Sequence, residues 1–357
     1  MSRNTLLVLA ALASLVPGGC SRKKAEHKYT IAVIPKGRTH EHWQSVERGA
    51  RRAAADLAAA GIPVEVLYEG PLSESDSLSQ INLVNQMVGS RGANGIVLAP
   101  QHSQRMVEVV KESVARGAPV VIIDSDLADK SLYLKYVATD NYNGGKLAAQ
   151  HLLASLVKKG KKAPKLYLFP YAPGSESTEQ REKGFLDTVK AAFEKQKNAG
   201  QPAGEVTFGE YAGPTVTSAQ SRAAQVLPKI RDEKYDGIFA VNESATSGML
   251  NATRTLGLEG KIALMGFDAS APLLEALRKD EVEGLIVQDP YRMGYLGVWV
   301  LVRHLEGDDV SAGGKYLPTG ETLVTKDKLD SPETTGLFNP EVQAKRTIEL
   351  PKFEKKK

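Results

Sequence analysis

Tyr136-Val-Ala-Thr-Asp140-Asn-Tyr-Asn-Gly-Gly-Lys146 is where one α/β run ends and a second begins. Before it, short apolar runs alternate with amphipathic segments from Tyr29 to Val137. After Asp140-Asn141, a helix-start signal, the same alternation restarts and continues to about Gln288. The expectation is an α/β chain folded as two lobes joined near this stretch, with the glycine pair Gly144-Gly145 serving the hinge. A cleft between two such lobes is a usual place for a small ligand.

The 357 residues exceed ordinary single-domain size, so each lobe can bury a core of its own. A 42% hydrophobic and 25% charged composition is that of a soluble globular protein. The net charge is +4, and part of it lies in the terminal segments Ser21-Arg-Lys-Lys24 and Lys355-Lys-Lys357, which excludes a basic nucleic-acid face. Arg3 precedes the apolar run Leu6 to Val16, too short to span a bilayer but suited to a secretory signal. Pro17-Gly18-Gly19-Cys20 then resembles the bacterial lipoprotein cleavage box, which implies lipidation of Cys20 and an envelope protein, periplasmic or otherwise extracytoplasmic, held to a membrane by its lipid. Pro17 departs from the aliphatic residue preferred there. Cys20 is the only cysteine, so neither an intramolecular disulfide nor a cysteine metal site can form.

Tyr29 to Ile34, Pro63 to Tyr68, Gly95 to Ala99 and Gly117 to Asp124 read as strands of the first lobe. Lys165 to Phe169, Glu205 to Phe208, Gly237 to Val241, Ile262 to Gly266 and Leu285 to Val287 read as strands of the second. Their nearly continuous Val/Ile content predicts parallel strands covered on both faces. Tyr291 to Glu306 predicts a well-buried helix, and Lys315 to Leu323 one further strand. Past Ser331 no periodicity is evident.

Beyond the carboxyl ends of these strands, where open parallel sheets bind ligands, lie Pro35 to Trp43, Pro100-Gln101-His102, Asp124-Ser125-Asp126, Tyr171, Asn242-Glu243, Asp268 and Gln288. Carboxylates, amides and an indole face suit a ligand carrying several hydroxyls. Bland readings stand beside this one: Trp43 as a core position of its helix, Asp124 and Asp268 as helix caps, and Arg181 as a solvated charge.

Taken in order, Val33-Ile-Pro, His42-Trp43, Gly49-Ala50, Gly95 to Pro100, Val121 to Asp124, Thr139-Asp-Asn141, Gln180 to Phe185, Phe239 to Asn242, Gly266-Phe-Asp268 and Val287-Gln288 resemble the periplasmic sugar-binding proteins of the ribose/galactose/xylose class. The resemblance covers roughly residues 29 to 325. It implies two Rossmann-like parallel-sheet lobes joined by three crossovers near Thr139, Asp289 and Gly320, with residues 29–138 and 290–320 in the N-terminal lobe. Residues 139–289 and 321–335 fall in the C-terminal lobe, after a signal at 1–20 and a tether at 21–28, and residues 336–357 form a peripheral tail. The ligand-binding positions implied are His40, His42, Trp43, Asp124, Arg181, Asn242, Asp268 and Gln288. His40 stands where ribose binders carry asparagine, His42 where they carry a stacking aromatic, and Ser125 where they carry arginine, so the pocket is expected to have one cation fewer.

Catalytic signatures are missing. His40-Glu41-His42 is too compact for the helical zinc motif, and no phosphate-cradling glycine loop follows a strand. The implied protein is a monomer that is no enzyme and carries no cofactor or metal. It captures a sugar or polyol for an ABC permease; the alternative is a sugar sensor that reports to a membrane kinase or chemoreceptor. A repressor with the same lobes would need an N-terminal helix-turn-helix where this chain carries its export signal.

Overall fold

The computed structural model describes residues 27–356, so the signal segment and Cys20 lie outside the described residues. In the first half, β1 (Tyr29–Ile34), α1 (Glu41–Ala59), β2 (Val64–Tyr68), α2 (Ser77–Gly89), β3 (Gly95–Leu98), α3 (Val107–Ala115), β4 (Val120–Ile123) and β5 (Tyr136–Ala138) succeed one another. The second half holds α4 (Asn141–Lys158), β6 (Lys165–Phe169), α5 (Glu176–Asn198), β7 (Glu205–Phe208), α6 (Val216–Asp232) and β8 (Gly237–Ala240). It continues with α7 (Glu243–Thr255), β9 (Ala263–Phe267), α8 (Ala271–Arg278) and β10 (Gly284–Gln288). Then come α9 (Pro290–Leu305), β11 (Asp308–Asp309), β12 (Tyr316–Pro318), β13 (Glu321–Val324), α10 (Pro332–Phe338), α11 (Pro340–Lys345) and β14 (Glu354–Lys355).

These strands build two six-stranded sheets, ordered β12-β5-β4-β3-β1-β2 and β13-β10-β9-β8-β6-β7. All pairings within them are parallel except that of β13 with β10. Every residue of β3, β4 and β8 is buried, as strands with helices on both faces require. Alternation along β1 supplies both faces of its sheet. Ile31 and Val33 join the core under α1 and α9, while Ala32 and Ile34 join the one under α2 and α3.

The chain enters the second lobe at the start of α4, where the Asp140 carboxylate accepts from Asn143 N at 2.8 Å and caps the helix. Gly144 and Gly145 are not hinge residues. They lie inside α4, where a Cβ on Gly145 would stand 2.0 Å from Arg181 O, and one on Gly184 of α5 would stand 2.0 Å from Tyr142 O. The first lobe has the same crossing, because a Cβ on Gly49 of α1 would meet Tyr291 O at 1.9 Å and one on Gly294 of α9 would meet Val46 O at 2.0 Å. Bare glycine faces let each helix pair approach closely; within a helix that is worth the roughly 1 kcal/mol lost relative to alanine.

Two further expectations are corrected. Lys315 to Leu323 is not one strand: β12 extends the first sheet beside β5, Gly320 turns the chain at φ 90°, and β13 joins the second sheet beside β10. The C-terminal segment is not peripheral either. Leu337 and Phe338 pack on the second-lobe core, and Gln343 is then fully buried between Ser45, Arg48 and the Leu337 carbonyl. Arg346 pairs with Asp289 at 2.5 Å. Beyond it Ile348, Leu350 and Phe353 pack on the first-lobe core, and β14 pairs with β11. The segment is a strap that crosses from one lobe to the other. Its local sequence lacks periodicity because its few apolar residues are divided between two cores.

Candidate functional site

Asp124 and Asp268 follow β4 and β9, which occupy corresponding places in the two sheets, and both have left-handed backbones, φ 63° and 69°. Asp is one of the few side chains that visits this region, and such strain gathers at functional sites. Both side chains turn into the space between the lobes. There His42 of α1 lies with Nε2 at 3.3 Å from Asp124 Oδ1 and Nδ1 at 3.9 Å from Asp268 Oδ1.

Asp124 caps no helix. Asp268 accepts from Glu243 N at 3.0 Å, which steadies the start of α7, and its other oxygen accepts from Gln288 Nε2 at 2.6 Å. Asn242 is the N-cap of α7, accepting from Ala245 N at 3.0 Å. Arg181 is no solvated charge. It is 2% exposed, its guanidinium lies 3.7 Å from the Phe267 ring centroid, Nε donates to Asn141 Oδ1 at 2.9 Å and Nη1 to Val241 O at 3.0 Å. Asn141 Nδ2 also donates to the Asp124 carbonyl at 3.4 Å, so the stretch that joins the lobes is bonded to the backbone of Asp124 and to the Arg181 guanidinium.

Trp43 is both core and site: it packs with Val46 and Ala50, and its Nε1 donates to Glu74 Oε1 at 2.6 Å. Glu74 is a hub that sequence reasoning missed, because the loop carrying it has no pattern. It also pairs with His40 Nδ1 at 2.8 Å and accepts from Tyr171 OH of the second lobe at 2.8 Å. Burial alone would push the Glu74 carboxyl up, but His40 and Lys36 reverse this and hold it at about 2. Burial would likewise lower His40, yet Glu74, Glu243 and Asp268 raise it to about 9, so it is a cation at neutral pH.

Lys36 was also missed. The signal available was its place directly after the carboxyl end of β1, in Pro35-Lys-Gly37. Its ammonium, 4% exposed as a residue, lies 2.9 Å from Asp124 Oδ2, 2.6 Å from Ser125 Oγ and 3.1 Å from Ser177 Oγ. The pocket therefore does not have one cation fewer: the charge missing from Ser125 arrives from another loop. Together Lys36, His40, His42, Trp43, Glu74, Asp124, Tyr171, Arg181, Asn242, Asp268 and Gln288 line one cleft. The lobes stand closed, leaving about 30 Å³ among these side chains, room for one water molecule. The Gln288 Oε1 and Glu243 Oε2 atoms are buried with no hydrogen-bond donor among the described residues. Such acceptors call for a partner that brings N–H or O–H groups. No group of three or more His, Cys, Asp or Glu among the described residues is arranged to hold a metal ion.

The sequence model of a family described as "Periplasmic binding protein domain" matches residues 31–309. A D-ribose/D-allose-binding protein of Pseudomonas aeruginosa is 26% identical over 306 residues, covering 84% of this chain and 90% of that protein. The ribose import binding protein of Escherichia coli is 26% identical over 324 residues, covering 90% and 97%. Among solved structures, a carbohydrate transporter solute-binding protein from Agrobacterium radiobacter in complex with D-arabinose superposes with a TM-score of 0.75 at 32% identity, covering 87% of this chain and 99% of that one. A solute-binding protein of an ABC transporter from Agrobacterium vitis, with bound D-fucose, gives 0.74 at 30% identity, covering 86% and 99%.

Proposed function

The chain belongs to the family of periplasmic binding protein domains, and on that premise we propose that it captures a neutral sugar or related polyol between its lobes and hands it to an ABC permease. The observation that carries this reading is the convergence of Asp124 and Asp268, from equivalent strand ends of the two lobes, on His42. A hydroxyl-rich ligand held there gains contacts from both lobes only when they shut. Around it the ionised groups come near to balance: Lys36, Arg181 and cationic His40 stand against Glu74, Asp124 and Asp268. A neutral ligand with many O–H donors fits that balance and the orphan acceptors.

His40, His42, Trp43, Asp124, Arg181, Asn242, Asp268 and Gln288 are the proposed ligand contacts. Relatives named as ribose, allose and arabinose binders support the class of ligand and an extracytoplasmic location. Lipidation of Cys20 would tether the protein near its permease. No helix of the described residues is long and apolar enough to cross a membrane. A thermal-shift screen of pentoses, hexoses and polyols tests the reading. A ligand at a hundred times its Kd adds about 2.7 kcal/mol to stability. A flat response across the whole panel would reject it.

A further inference from the structure

A buried lysine in a binding cleft invites the thought of an acidic ligand. The contacts of Lys36 point elsewhere. An ammonium has three N–H donors, and here Ser125 Oγ, Ser177 Oγ and Ser175 Oγ accept at 2.6, 3.1 and 3.4 Å, while Asp124 Oδ2 stands at 2.9 Å as an ion pair and has no hydrogen-bond donor of its own among the described residues. No N–H is left for a ligand. Two of these hydroxyls belong to different lobes: Ser125 follows β4 of the first, and Ser177 lies in the first turn of α5 of the second. They also bond each other at 2.7 Å, and Ser177 N donates to Ser125 Oγ at 3.1 Å.

We propose that Lys36 is a positioning residue of the cleft: a transposed cation that holds Asp124 as a pure hydrogen-bond acceptor toward the ligand and completes its own hydrogen bonds only when the lobes close. The family resemblance places an arginine where this chain carries Ser125. In this chain the cation comes from the β1–α1 loop and has no N–H to spare, so the ligand meets the carboxylate rather than the charge behind it. The proposal rests on the reading of the cleft as a sugar site and sharpens its specificity toward ligands that donate at this point.

Asp124 is faced by Lys36 from the β1–α1 loop, His42 from α1, Arg181 from α5, and the hydroxyls of Tyr136 and Tyr171. Glu74, Asp126, Glu176 and Asp268 are the other acids around this group. Burial pushes the Asp124 carboxyl up, but Lys36, His42 and Arg181 overcome this and leave it well below the usual carboxylate range. Removing the ammonium strands a buried carboxylate, and protonation relieves it.

The test uses the mature protein with Lys36→Met, Lys36→Met/Asp124→Asn and Lys36→Met/Ser125→Arg. The Lys36→Met melting deficit against the parent should be largest at pH 7.5 and shrink toward pH 4.5. In an Asp124→Asn background, where Lys36 is itself stranded, the same substitution should recover stability and show no deficit that grows with pH. With D-arabinose, D-ribose, D-allose and D-fucose as calorimetric probes, Lys36→Met should weaken whichever sugar the parent binds by on the order of 100-fold. Adding Ser125→Arg should restore most of that. A deficit that is the same at both pH values, or a Ser125→Arg addition that restores nothing, overturns the proposal. If Lys36→Met alone does not fold, folding of the double variant with Asp124→Asn supports it, because removing both charges of a buried pair is tolerated where removing one is not. Failure of that double variant to fold counts against it. Should the parent bind none of the four sugars, it is the sugar reading that suffers, and the melting series still decides the role of Lys36.

Discussion

The two lobes repeat one plan and differ in what they bring to the cleft. Each ends an inner strand on an aspartate in a left-handed conformation, Asp124 and Asp268, and each packs its first helix against a partner across a pair of glycines. The first lobe then supplies ionised side chains from irregular loops, Lys36, His40 and Glu74. The second supplies hydroxyls and amides at helix starts, Ser175, Ser177 and Asn242, with Arg181 one turn further along α5. The lesson is a division of labour. Sheet topology places the two carboxylates, while the connections that are free to vary set the charge around them.

The comparison breaks most visibly at the carboxylates. Asp124→Asn and Asp268→Asn keep the left-handed backbone and should each weaken ligand binding by about 2–4 kcal/mol, roughly 30- to 1,000-fold, measured by calorimetry. The two should part company in stability. Asp268→Asn weakens the bond to Glu243 N at the start of α7 and should lower the urea midpoint, whereas Asp124→Asn also strands Lys36 and should lower it further. Equal binding by the parent and either variant would mean that the ligand lies elsewhere.

The glycine crossings sharpen the same contrast. Gly49→Ala and Gly145→Ala each force a methyl against a backbone carbonyl and should cost about 1–3 kcal/mol of stability. Only Gly145→Ala pushes on the carbonyl of Arg181, so only it should also weaken ligand binding. Similar binding losses from both would show that the crossings act through overall lobe geometry.

The strap is where the symmetry fails, since it ties the lobes on one side only. Gln343→Ala should cost about 1–3 kcal/mol, because Ser45 and Arg48 lose a buried partner. Without ligand it should also enlarge the radius of gyration seen by small-angle scattering. An unchanged scattering profile would reduce the strap to packing.

The smallest effect concerns pH. His40 has a folded value near 9 against 6.5 unfolded, so its contribution is complete below pH 6.5 and is lost as pH rises through 9. Burial lifts Glu182 and Glu243 to about 7, and their contribution is likewise complete below about 4.5 and lost through 7. Glu74, held at about 2, contributes fully above 4.5 and is lost only as pH falls toward 2. From these groups stability should therefore peak near pH 4.5, fall most steeply between pH 5 and 7 where both glutamates ionise, and go on falling by about 1 kcal/mol per unit from pH 7 to 9. In His40→Gln the part of the decline above pH 7 should vanish, as read by melting across buffers.

Much of the molecule is legible in the chain alone. The alternation of apolar runs and amphipathic segments, with its restart after Asp140, determined the α/β class and the two lobes, because burial on one face of a helix or both faces of a strand is a local demand. The positions of Asp124, Asn242, Asp268 and Gln288 in the cleft could be anticipated because strand ends of parallel sheets share one edge, whereas Arg181, inside α5, is implied only by the family resemblance. Lys36 beside Ser125, Glu74 under Trp43 and the strap through Gln343 could not. Each joins residues tens to hundreds of positions apart across lobes whose mutual placement no local pattern encodes. Gly144-Gly145 carries the same lesson, since the two residues read as flexibility in isolation, yet Gly145 becomes a close helix contact once α5 lies against it and Gly144 faces Phe267 of the sheet. Long-range pairing of this kind depends on how two finished sheets come together, and that is a property of their packing rather than of any stretch of sequence.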